Sequence, residues 1–85
     1  MANASPSPSP NPNALRFGLD ITLPDTLSIN DAAAAQGNPF AEAVFSAPGV
    51  ASLFGVNDFV TVTRQPGADW DPIIAAVQAA AADHL

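Results

Sequence analysis

The sequence predicts an α+β domain in the order ββαββα: a four-stranded antiparallel sheet with two helices packed on one face. Three observations predict it. The stretches LRFGLDITL and DFVTVTR alternate apolar and polar residues with the period of two that a half-buried strand requires. Pro, Gly, Asn and Asp punctuate the chain at short intervals, as turns demand. Residues 70–81 then change to apolar positions three and four apart, the spacing of one helix face.

The chain opens on MANASPSPSPNP, with Pro at positions 6, 8, 10 and 12. That composition favours extended polyproline II with nothing to bury, so residues 1–12 read as a disordered Pro/Ser-rich arm and 13–85 as the folded domain. The even spacing of the prolines leaves no PxxP, which favours a spacer over a ligand for proline-reading domains. In the first strand Leu15, Phe17, Leu19 and Ile21 share one face, and Arg16, Gly18, Asp20 and Thr22 the other. Pro24-Asp25 is a turn, and TLSIN alternates again through Leu27 and Ile29, so the two segments are expected to pair as a hairpin.

Residues 31–37, DAAAAQG, support at most a helical turn. The first helix is clearer: Asn38 is a good N-cap, Pro39 suits the first position, and Pro48-Gly49 ends the element, with Phe40, Ala43, Val44 and Ala47 on one side. A second hairpin joins VASLFG to DFVTVTR through residues 55–58. With that four-residue loop, Phe54 stands opposite Phe59, Ser52 opposite Thr61 and Leu53 opposite Val60, while Val50 faces outward. The final helix follows a cap at Asp69 or Asp71, with Pro72 in its first turn. Trp70, Ile73, Ile74, Val77 and Ala81 form its apolar stripe, Trp70 serving as a core anchor.

Composition narrows the function. The 85 residues suffice for one small domain, and 18 of them are Ala, so larger apolar side chains are scarce. With no Cys, the chain cannot hold zinc or an iron-sulfur cluster in a cysteine-ligated site of its own. The net charge of −6, with Arg16 and Arg64 as the cations, makes nucleic acid and anionic membrane poor partners and a protein surface a better one. No apolar run approaches the roughly 20 residues of a membrane span, and no leader pattern opens the chain, so a cytoplasmic protein is expected.

Catalysis has little to work with. His84 is the penultimate residue, and the carboxylates are scattered among turns, helix starts and exposed helix faces, with Asp20 left over on the first strand. No catalytic, cofactor or metal-binding residue is expected, and no enzyme.

Taken in order, NPNALRF, NPFAEAVFSAPGV, DFVTVTR and the Trp of DW resemble the N-terminal domain of Nfu/NifU-like iron-sulfur scaffold proteins, over about residues 11–84. Asn38, Phe40 and Arg64 stand where that family usually has Ser, Leu and Lys. Gly55 stands where an aromatic or aliphatic residue is common, and Val56 where Gly is. The family usually joins this domain to a second one whose CxxC motif carries the cluster, and the 85 residues contain no such motif. The resemblance therefore implies an accessory role: recruiting or orienting protein partners, such as iron-sulfur carriers or client apoproteins, during cluster assembly or delivery.

If both helices cover the face of Leu15, Phe17, Val60 and Val62, the opposite face is open to water. Phe54 and Phe59, rimmed by Arg16, Gly18, Ser52, Thr61 and Thr63, then form a modest apolar patch of the kind partner surfaces use. Arg16, Ser52, Phe54, Phe59, Thr61 and Thr63 are the candidate partner-binding residues of a monomer. The alternative is a structural or self-association module that pairs two copies through the same face.

Overall fold

The structure, a computed structural model, describes residues 3–7, 13–23, 25–31 and 33–85. Its elements are β1 (Ala4–Ser7), β2 (Ala14–Leu19), β3 (Leu27–Ile29), α1 (Pro39–Phe45), β4 (Val50–Val56), β5 (Phe59–Arg64) and α2 (Trp70–His84). The five strands form one antiparallel sheet in the order β1-β2-β5-β4-β3.

Two expectations are corrected. The sheet has five strands rather than four, because residues 4–7 of the expected arm pair with β2, Ala4 opposite Leu19 and Ser7 opposite Arg16. An edge strand tolerates Pro6, since its missing N–H need not serve a ladder on both sides. Ala4 is buried and its carbonyl accepts from Gln78 Nε2 of α2 at 3.3 Å, while the Asn3 backbone N–H donates to Asp20 Oδ1 at 2.9 Å. Residues 1, 2 and 8–12 of that arm lie outside the described residues.

The expected hairpin between the first two long segments does not form either. β2 pairs with β5, and β3 pairs with β4 at the far edge. The connection explains why. Leu19 N–H donates to the Asp58 carbonyl at 2.7 Å and Leu23 N–H to the Asn57 carbonyl at 2.6 Å, so the chain leaving β2 runs across the tip of the β4–β5 hairpin. It therefore delivers β3 to the other side of that hairpin instead of folding back on β2.

The helices begin and end for local reasons. Asn38 is extended at φ −117°, and its side chain accepts from Ala41 N–H at 3.1 Å, satisfying one of the donors a helix start leaves open. Pro39 follows and α1 gives out at Ser46. Gly49 then turns the chain into β4 at φ +88°, where a Cβ would collide with the Cβ of Ala68. In α2 the extended Asp69 precedes the first turn without making a side-chain cap, and Asp71 lies at the positive end of the helix.

Both helices and the inner face of the sheet share one core. Phe17, Leu53, Val60 and Val62 from the strands meet Val44, Ile73 and Val77 from the helices, all essentially inaccessible to solvent. Small side chains at Ala41, Ala80 and Ala81, also buried, accompany the packing of α1 against α2. Ala41 is the fully buried alanine of α1, while Ala43, assigned to that side from the sequence, is only partly covered. Trp70 and Ile74 pack at the margin. Among the described residues no helix is long and apolar enough to cross a membrane.

Candidate functional site: the open face of the sheet

Strand alternation sends every second residue of these strands away from the helices. The face they form carries Ser5 and Ser7 of β1, Arg16 and Gly18 of β2, Phe59, Thr61 and Thr63 of β5, Ser52, Phe54 and Val56 of β4, and Ser28 of β3. All six sequence-predicted partner residues fall on it. Phe54, 45% accessible, is the large apolar side chain left exposed among the described residues. Phe59 is half-buried, with the Arg16 guanidinium carbon 3.9 Å from its ring centroid, inside the range of a cation–π contact.

The pairing within this face differs from the expected one. β4 continues through Val56, and the turn has two residues, Asn57 and Asp58, with Asn57 in the left-handed region at φ 56°. Phe54 therefore faces Thr61, Ser52 faces Thr63, Leu53 faces Val62 and Val56 faces Phe59. Because the shift is two residues, no side chain from Ser52 to Phe54 or from Phe59 to Thr63 changes face, and the two Phe residues become diagonal neighbours, about 7–8 Å apart at their backbones. Val56 is the member of the patch that sequence reasoning left in the loop. Asn57-Asp58 was the available signal, since Asn tolerates the left-handed conformation a two-residue turn needs.

Val50 is corrected as well. It is buried, opposite Arg64, because an irregularity between Val50 and Ser52 inserts one extra residue and resets the alternation. Gly55 also lies on the inner side: a Cβ there would meet Leu23 Cδ1 and Val60 Cγ1 at 2.9 Å, so the packed helix side excludes the larger residue.

The two arginines do different things. Arg64 closes the end of β5 onto the start of α2: its Nη1 donates to the Ala68 carbonyl at 2.7 Å, its Nε to Asn13 Oδ1 at 3.3 Å, and its guanidinium lies 5.3 Å from the Trp70 ring centroid. Arg16 is exposed and, among the described residues, has the Phe59 ring as its contact and no hydrogen-bond or ion-pair partner.

Other places on the molecule offer less chemistry. A depression of about 280 Å³ between Leu23, Leu27, Phe40 and Leu85 contains one side-chain carboxylate, Asp25, and no His or Lys. His84 is exposed on the last turn of α2. Among the described residues no three His, Cys, Asp or Glu converge on a point that could hold a metal.

A two-helix α+β domain with a five-stranded antiparallel sheet and one uncovered face is thus in hand. The family model described as "Scaffold protein Nfu/NifU N terminal" matches residues 5–85, and the chain belongs to that family. A NifU-like protein of Schizosaccharomyces pombe is 38% identical over 77 residues, covering 85% of this chain. The chain spans only 29% of that relative's length. Among solved structures, a NifU-like protein from Saccharomyces cerevisiae superposes with a TM-score of 0.79 at 22% identity, covering 94% of this chain and 75% of that one. Protein SAV1430 from Staphylococcus aureus superposes with a TM-score of 0.75 at 23% identity, covering 92% and 96% respectively. These two likenesses carry the fold alone.

Proposed function

We propose that this domain is a non-catalytic docking module in iron-sulfur cluster assembly or delivery. Family membership supports the assembly context. The observation that carries the docking role is the open sheet face, where the exposed Phe54 and the Arg16-covered Phe59 stand among Val56, Ser52, Thr61 and Thr63. An apolar patch with a polar rim is the usual makeup of a surface that exchanges water for a partner. The cluster is cargo ligated outside these 85 residues, which contain no thiolate to hold it. Reconstitution of the domain with iron and sulfide is expected to leave it colourless; a stable visible spectrum of a bound cluster would refute that part of the reading.

Anaerobic affinity capture with the wild-type domain beside Phe54→Asp tests the docking role. Circular dichroism verifies that the variant is folded. The expected result is recovery of iron-sulfur carriers or cluster-containing clients by wild type and their loss with Phe54→Asp. Equal recovery by both would move the dock off this face.

A further inference from the structure

The open face is chemically unlike the rest of the molecule. The protein has eight carboxylates and a net charge of −6, yet among the described residues not one Asp or Glu occupies a strand of the sheet. Asp20 and Asp58 come nearest, and both sit just past strand ends. Asp20 is four residues beyond Arg16, roughly 13 Å along an extended chain, and its carboxylate already accepts from Asn3. Asp58 lies in the hairpin turn beside the end of β2. Among the described residues the face itself presents Phe54, Val56 and Phe59, hydroxyls, and one cation, Arg16, with no ion-pair partner.

We propose that the occupant of this face is a protein segment carrying an apolar or aromatic anchor next to a carboxylate, the anchor seating on Phe54 and Val56 and the carboxylate meeting Arg16. The inference rests on the docking role proposed above and names the chemistry that would fill it. The Arg16 guanidinium carbon lies 3.9 Å from the Phe59 ring centroid, a contact that uses none of its N–H donors in a hydrogen bond, and a guanidinium with its N–H groups available receives a carboxylate bidentately. Phe59 also limits the freedom of that side chain, so less entropy is lost when the pair forms. The strands of the face carry no acid, so an incoming carboxylate meets repulsion only from Asp20 and Asp58 at their ends, although the net charge of the molecule opposes a strongly acidic partner as a whole. The fit is to one acid beside an anchor rather than to an acidic tract.

A second copy fits poorly for the same reason. Two such faces laid together would bring two Arg16 side chains into one interface whose strands offer no carboxylate to meet them.

The test is selection of random ten-residue segments displayed on phage, against the folded wild-type domain, Arg16→Gln and Phe54→Asp, with sedimentation of each protein alone. Wild type is expected to enrich segments with an aromatic or large aliphatic residue within two positions of Asp or Glu. The acid should be favoured roughly fivefold over its amide counterpart at low salt, as suits a partly exposed ion pair. Arg16→Gln is expected to keep the apolar anchor and lose the acid preference. Apolar segments selected equally by wild type and Arg16→Gln, with no acid enrichment, would overturn this inference while leaving the docking role standing. No segment favoured by wild type over Phe54→Asp would overturn both. A concentration-dependent dimer abolished by Phe54→Asp would overturn it too, by giving the face to a second copy.

Discussion

Arg16 and Phe17 are adjacent in the chain and lead opposite lives. Phe17 is wholly inaccessible beneath the helices, while Arg16 stands exposed on the far side of the same strand. The contrast extends across the sheet: Leu53, Val60 and Val62 are sealed on the inner side, and their neighbours Phe54, Thr61 and Thr63 remain in reach of solvent. A small domain with few large apolar residues has committed two Phe and a Val to the uncovered side, where none of them is fully buried. The inner face is explained by stability and the outer face is not, which is why the outer face is the place to look for function.

Substitutions can break that contrast or sharpen it. The largest effect is expected for Phe17→Ala, which removes a fully buried ring and should cost about 3–5 kcal/mol, most of what a domain this size has to spare. Urea unfolding should show the transition displaced to very low denaturant or absent. Gly49→Ala is next: it forces a side chain into φ +88° and against Ala68, for roughly 2 kcal/mol or more. Adding Ala68→Gly should recover part of that loss, the part due to contact rather than to backbone conformation. Asn38→Ala removes the α1 cap and should cost about 1 kcal/mol in the same assay. Phe54→Ser lies at the small end, within about 0.5 kcal/mol of wild type, while abolishing partner capture. A large stability loss from Phe54→Ser would mean that the two faces are not divided as described.

Where sequence patterns are local, they were enough. The strict alternation of residues 15–19 and 59–63 assigned faces correctly, and Asn38-Pro39 marked the start of α1 as built. The six outer-face residues could be read for the same reason, since a shift of two in the β4–β5 register leaves each of them on its own side. What escaped was non-local or irregular. Neighbouring segments usually pair, but the hydrogen bonds of Leu19 and Leu23 to the hairpin tip send β3 to the far edge, and no pattern in 20–26 announces them. The fifth strand came from ASPS, whose composition favours solvent; burial of Ala4 and the bond to Gln78 hold it to the sheet. The irregularity after Val50 reversed one assignment by inserting a single residue.

The most direct measurement is the change in backbone amide chemical shifts when a partner recovered by anaerobic capture is added to the isotopically labelled domain. The account predicts that perturbations concentrate at Arg16, Gly18, Phe54, Val56, Phe59, Thr61 and Thr63, leaving α1 and α2 quiet. Perturbations confined to the helices, or to the depression between Leu23, Phe40 and Leu85, would contradict it.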